Sequence, residues 1–234
     1  MSKVTLVGIT QPLIEGVSTA CDLVAYVARV SNPSNQLNTE TAPKLLAYLA
    51  KHQHWSPFEM VSLTMEIETT RDIARQILRH RSFSFQEFSQ RYAHGPDLGF
   101  EVREARLQDN KNRQASTELD MDIIEDRDLA FDWERAQKRV LFVVQKEYEW
   151  AIKNGIAKEQ ARAVLPEGLT HSRLYMAGTL RSWLHYCILR TERGIQKGTQ
   201  KEHREVAQAA LDILSEQFPS IMGIVTNENG SQQA

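Results

Sequence analysis

Apolar residues recur along this chain at two spacings, and the switches between them outline its elements. Val61, Leu63, Met65 and Ile67 alternate with Ser62, Thr64, Glu66 and Glu68, the period of two that predicts a half-buried strand. Val4 to Ile9 reads as a short strand, and Leu169 to Met176 as another with a less regular pattern. Phe100 to Leu107 alternates too and is expected to pair with the 61–67 strand. Elsewhere the spacing is three and four, the helical period. It predicts a helix over Ser18 to Val30 with Leu23, Val27 and Val30 on one face. A second opens at Thr41-Ala42-Pro43, a capping residue and a first-turn proline, and buries Leu45, Leu46 and Leu49. Thr70 to Leu78 puts Ile73, Ala74, Ile77 and Leu78 on one face and Arg75, Gln76 and Arg79 on the other.

Further on, Asp128 to Lys153 is a long helix carrying Trp133, Ala136, Val140, Val144 and Trp150, and Asn154-Gly155 ends it. Lys158 to Leu165 is a short helix stopped by Pro166. Leu180, Trp183, Leu184, Cys187 and Ile188 mark an amphipathic helix capped by Thr179, and Glu202 to Phe218 is the last. Gln108 to Glu125 is polar and aperiodic, which predicts a surface loop or insertion. Asn227 to Ala234 reads as a disordered tail. The fold class is α+β: an antiparallel or mixed sheet packed with several long helices, in a single domain over 1–226.

At 234 residues and 41% hydrophobic, the chain can bury a sizeable core. A formal net charge of -2 argues against a general nucleic-acid binder, whose footprint is basic. Two cysteines, Cys21 and Cys187, make neither a disulfide framework nor a metal cluster and suit a reducing cytosol. No run is long enough to cross a membrane and the start lacks a signal-peptide core, so a cytoplasmic protein is expected.

The chemistry concentrates in Arg79-His80-Arg81-Ser82-Phe83-Ser84-Phe85-Gln86-Glu87-Phe88-Ser89-Gln90-Arg91. A helix C-terminus tolerates cations, but two guanidiniums flanking an imidazole go further. They suit a strongly anionic, planar ligand, because arginine forks onto phosphate oxygens and stacks on rings. The plainer alternative is a solvated basic turn, or arginines paired with nearby carboxylates.

Arg-His-Arg, seven residues, Ser, one residue, Arg resembles the signature of the flavin-dependent thymidylate synthases. Gln86 stands where that family has Asn. His54-Trp55-Ser56-Pro57-Phe58-Glu59 resembles a second family element, and Arg162 before Val164-Leu165-Pro166 a third. Arg181, His185 and Arg190 share a helix, with His185 where the family has Asn. The resemblance runs from about Ala28 to Arg190.

The resemblance implies methylation of dUMP to dTMP, with methylenetetrahydrofolate as carbon donor and FAD, reduced by NADPH, as hydride donor. It implies that Ser31, His54, Ser56, Glu59, Arg79, His80, Arg81, Arg181 and His185 hold the flavin. Gln76, Glu87, Ser89, Gln90, Arg91, Arg162 and Arg190 would hold dUMP, with His54, Ser89, Arg91 and Arg190 nearest the chemistry. It also implies a homotetramer with flavin sites at subunit interfaces, and no metal. Neither cysteine has the electropositive, accessible setting a nucleophilic thiolate needs. Two rivals stand beside this reading. One is a phosphate- or RNA-binding module using Phe83, Phe85 and Phe88 as stacking platforms. The other is a relative that binds FAD but is inactive.

Overall fold

The computed structural model describes residues 2–191 and 198–221. The predicted tail, 227–234, lies outside them. Strand β1 (Lys3–Ile9) is followed by helices α1 (Ala20–Ala28) and α2 (Ala42–Lys51). Next come β2 (Ser62–Thr70), α3 (Arg71–Ile77) and β3 (Ser84–Glu87). A hairpin of β4 (Arg106–Gln108) and β5 (Ser116–Glu118) precedes the long α4 (Ile124–Lys153) and the short α5 (Lys158–Ala161). The chain closes with β6 (His171–Thr179), α6 (Leu180–Arg190) and α7 (Lys201–Gln217).

The main sheet is antiparallel throughout, in the order β1-β2-β6-β3. Leu63, Met65 and Ile67 of β2 and Leu174 and Met176 of β6 are fully buried, while Glu66, Glu68, Arg173 and Tyr175 line the opposite face. The buried face meets Leu46 of α2, Trp183 and Leu184 of α6, and Val206, Ala210 and Leu214 of α7 in one core. Burying apolar surface on that scale is the main favourable term in folding. Trp183 is fully buried, and its indole Nε1 donates to the Leu63 carbonyl at 3.2 Å, so the ring's one polar atom is satisfied.

Several expectations are corrected. Phe100 to Leu107 does not pair with β2, whose neighbours are β1 and β6. Phe100 makes a single bridge to Thr170, and Arg106 to Gln108 pair with Ser116 to Glu118. The stretch 108–125 is thus not featureless: it completes a hairpin and begins α4. Thr70 is the last residue of β2 rather than helical. The buried residues of α1 are Ala20, Val24 and Ala25, and Val30 is exposed. Thr41 does not cap α2, because its hydroxyl accepts from Arg29 at 2.7 Å. Thr179 does cap α6, accepting from the Ser182 N–H.

Helix α4 departs from the usual amphipathic arrangement. Only Gln137, Tyr148 and Ala151 are buried, whereas Leu129, Phe131, Trp133, Val140, Phe142, Val143 and Trp150 are exposed. Large apolar side chains of this helix are thus left uncovered by the described residues.

Candidate active site

Helix α6 aligns one half of the site. At 1.5 Å per residue, Arg181 and Arg190 lie about 13 Å apart along its axis. At its start, exposed Arg181 ion-pairs with Glu59, which lies in the 3₁₀ turn Ser56–Met60. Phe58, fully buried against Trp55, anchors that turn. His54 precedes it, exposed, with its backbone N–H on the Leu49 carbonyl at 2.8 Å and its ring edge-on to Tyr48. The reversal that delivers His54 needs Gln53 at φ 57, a left-handed conformation uncommon outside glycine. Ser56 is exposed beside it.

At the other end of α6, the Arg190 Nε donates to His80 Nε2 at 3.2 Å. His80 is therefore an acceptor and neutral, with its proton on Nδ1. Burial first, then Arg190 and His185, push its pKa down to about 4. His185 stands exposed on α6 between the two arginines, and Arg79 and Arg81 are exposed at the end of α3. Desolvation, and secondarily Arg79, lower the pKa of Arg190. The face is rich in arginines: Arg79, Arg81, Arg181 and Arg190. Ser31 sits exposed beyond α1, in a loop that Arg29 ties to the Asn38 carbonyl and Thr41.

The turn after Arg81 is held by Phe83, which packs edge-on against Trp183 with centroids 4.9 Å apart. Gly178 of β6 makes room: a Cβ there would lie 2.4 Å from the Phe83 ring. Phe83 and Phe85 thus belong to the core, which removes two of the three stacking platforms of an RNA-binding reading.

A second group forms around β3. Glu87 points inward, accepting from Ser172 Oγ at 2.8 Å and pairing with buried Arg71 at 3.6 Å. Ser89 is half-buried in the following turn, its carbonyl accepting the Tyr92 and Ala93 N–H groups. Gln90 is buried, and its Nε2 has no hydrogen-bond partner. Arg91 ion-pairs with Glu159 of α5 at 3.3 Å. The Arg162 Nε donates to the Glu159 carbonyl at 3.3 Å, so one residue steadies both arginines. Lys158 donates to the Tyr92 carbonyl at 3.0 Å and clamps the turn to α5.

Gln76 leads to residues the sequence did not single out. Its Nε2 donates to Gln200 Oε1 at 2.8 Å, and its Oε1 lies 3.2 Å from Nδ1 of His203. His203 and Tyr186 are both fully buried. Helix α7 carries too weak a local signal to place either contact, since the partner lies on α3.

A cavity of about 930 Å³ lies elsewhere, between the β4–β5 hairpin, α4 and the start of α7. None of the predicted site residues lines it. Its cations are largely neutralised already: Arg103 pairs with Asp72 and Glu202, Arg106 with Glu202, and Lys201 with Glu104 and Glu118. The motif residues instead form two open groups on the surface of one chain.

Fold and face define an α+β protein that presents several arginines and a neutral histidine along α6 and the end of α3. The family profile described as "Thymidylate synthase complementing protein" matches residues 12–220. The chain belongs to that family. It is 47% identical over 216 residues to a probable flavin-dependent thymidylate synthase of Paramecium bursaria Chlorella virus 1, covering 92% of this chain and 95% of that one. It is 49% identical over 199 residues to the flavin-dependent thymidylate synthase of a Synechocystis strain, covering 85% and 86%. Among solved structures, the UMP/dUMP methylase PolB of Streptomyces cacaoi, bound with 5-Br dUMP, superposes with a TM-score of 0.78 at 27% identity, over 97% of this chain and 95% of that one.

Proposed function

We propose that this chain converts dUMP to dTMP by flavin-dependent methylation in the cytoplasm. In this reading dUMP, methylenetetrahydrofolate, NADPH and a proton give dTMP, tetrahydrofolate and NADP⁺. The carrying observation is the cationic face of α6, where the Glu59–Arg181 pair and the Arg190–His80 bond join the two flavin-side elements. This donor set fits FAD: Arg79, Arg81 and Arg181 suit a pyrophosphate and ring carbonyls, and His80 adds a neutral N–H. Bound and reduced, FAD supplies the hydride that completes the methyl group.

The chain's own residues bind and orient. Arg91 and Arg162 suit the dUMP phosphate or the uracil carbonyls, where a guanidinium stabilises negative charge that develops on oxygen. In this reading Ser89 positions the nucleotide, and exposed His54 serves the flavin and folate side. Glu87 is held inward by Ser172 and Arg71, at the end of the β3 strand. Neither cysteine supports attack on the uracil ring. Burial raises the pKa of both, and Cys187 is fully enclosed on α6.

The two site groups stand open on one chain, and α4 exposes Phe131, Trp133, Phe142 and Trp150. Both features support a homotetramer whose sites are completed by neighbouring copies. An absorption spectrum of the purified protein tests the proposal. Flavin bands that bleach with NADPH, and shift with dUMP, are expected. No FAD binding at micromolar concentration would overturn it.

A further inference from the structure

His203 is fully buried in the first turn of α7, yet it is an imidazole among core residues. Its Nδ1 lies 3.2 Å from Gln76 Oε1, and the Gln76 Nε2 donates to Gln200 Oε1 at 2.8 Å. The order of roles follows from the amide. Gln76 already donates through nitrogen to Gln200, so its oxygen is the acceptor and His203 Nδ1 the donor. The His203 Nε2 is then a bare lone pair, buried and without a partner. A buried, unpaired acceptor is costly, and a leucine would fill the same space without it.

We propose that His203 is a positioning residue that fixes the amide of Gln76, so that Gln76 meets its ligand as an N–H donor. An amide nitrogen carries two protons, and Gln200 takes one. The other is presented to an anionic or carbonyl oxygen of the nucleotide, while His203 prevents the flip that would present the Gln76 carbonyl instead. Burial, Arg190 and His80 push the His203 pKa down to about 3, so the ring stays neutral and the Nδ1 proton stays in place. This assignment rests on the proposed role of Gln76 in holding dUMP.

The test is calorimetric titration of dUMP into FAD-loaded protein, with flavin occupancy and melting temperature measured in parallel. His203→Leu should weaken dUMP about three- to tenfold, the size of one hydrogen bond. Flavin occupancy should be unchanged and the melting temperature equal or higher. His203→Asn, whose amide N–H can stand in for Nδ1, should restore most of the affinity. In a Gln76→Ala background, His203→Leu should have no further effect, since residues acting through one another are not additive. If Gln76→Ala weakens dUMP while His203→Leu does not, or the two effects add, His203 does not act through Gln76. If Gln76→Ala leaves dUMP affinity unchanged, the substrate role of Gln76 fails first, and the inference fails with it.

Discussion

Arg91 is paired with Glu159 on α5, Nε to Oε2 at 3.3 Å, and not with Glu87 four residues before it. Glu87 is turned inward to Arg71 and Ser172. The Arg91 side chain is 58% exposed, so the pair contributes about 0–1 kcal/mol to stability. Its value is orientation.

Arg91→Lys should therefore weaken dUMP on the order of ten- to a hundredfold, because one ammonium cannot reproduce the paired contacts of a guanidinium. Melting temperature and flavin occupancy should stay near wild type. Titrating dUMP against the flavin absorbance of both proteins decides it, and equal dissociation constants would remove Arg91 from the site.

Gly178→Ala should loosen the Arg-His-Arg turn. The new methyl would lie 2.4 Å from the Phe83 ring, which is wedged against Trp183 and cannot yield without repacking. Overpacking of this kind costs about 1–3 kcal/mol. A lower melting temperature with weaker FAD binding is expected. An unchanged melt would show that Phe83 does not anchor the turn.

Acid should destabilise the protein through its neutral histidines. His80 and His203 are depressed to about 4 and about 3, chiefly by burial and secondarily by Arg190. An unfolded histidine titrates near about 6.5. Between these values the unfolded chain binds more protons, so the contribution is intact above about 6.5 and lost as pH falls toward 4 and 3. In thermal melts against pH, His203→Leu should gain on wild type progressively below pH 6.5. A gap that stays constant with pH would count against a neutral His203.

In the proposed homotetramer, Phe142→Glu should reduce the assembly. Phe142 is 71% exposed on α4, and a carboxylate inside an apolar contact is costly to desolvate. Sedimentation should show a smaller species, and FAD should bind less tightly where sites span copies. An unchanged mass would place the contact elsewhere.

The strongly periodic segments were legible from the chain alone. The alternation of 61–67, the stripe Leu180-Trp183-Leu184-Cys187 and the Thr179 cap all appear where expected. Short alternating runs carried less. Phe100 to Leu107 has the right period but no feature that names its partner, and the hairpin it enters is closed by Ser116 to Glu118. Strand β3 is not legible in the sequence, because four residues inside a charged motif give no measurable alternation.

Sequence by itself determined the residue types and their local order: the Arg-His-Arg motif, the His54 to Glu59 element and the arginines of α6. Those are set by spacing of a few residues, within reach of a single helical turn or strand pair. Tertiary structure alone decided which of them meet. Arg190 reaches His80, Glu59 reaches Arg181, Arg91 takes Glu159, and His203 finds Gln76. Such contacts join elements distant in sequence, and their geometry comes from how the helices pack on the sheet, a property of the whole core rather than of any local pattern.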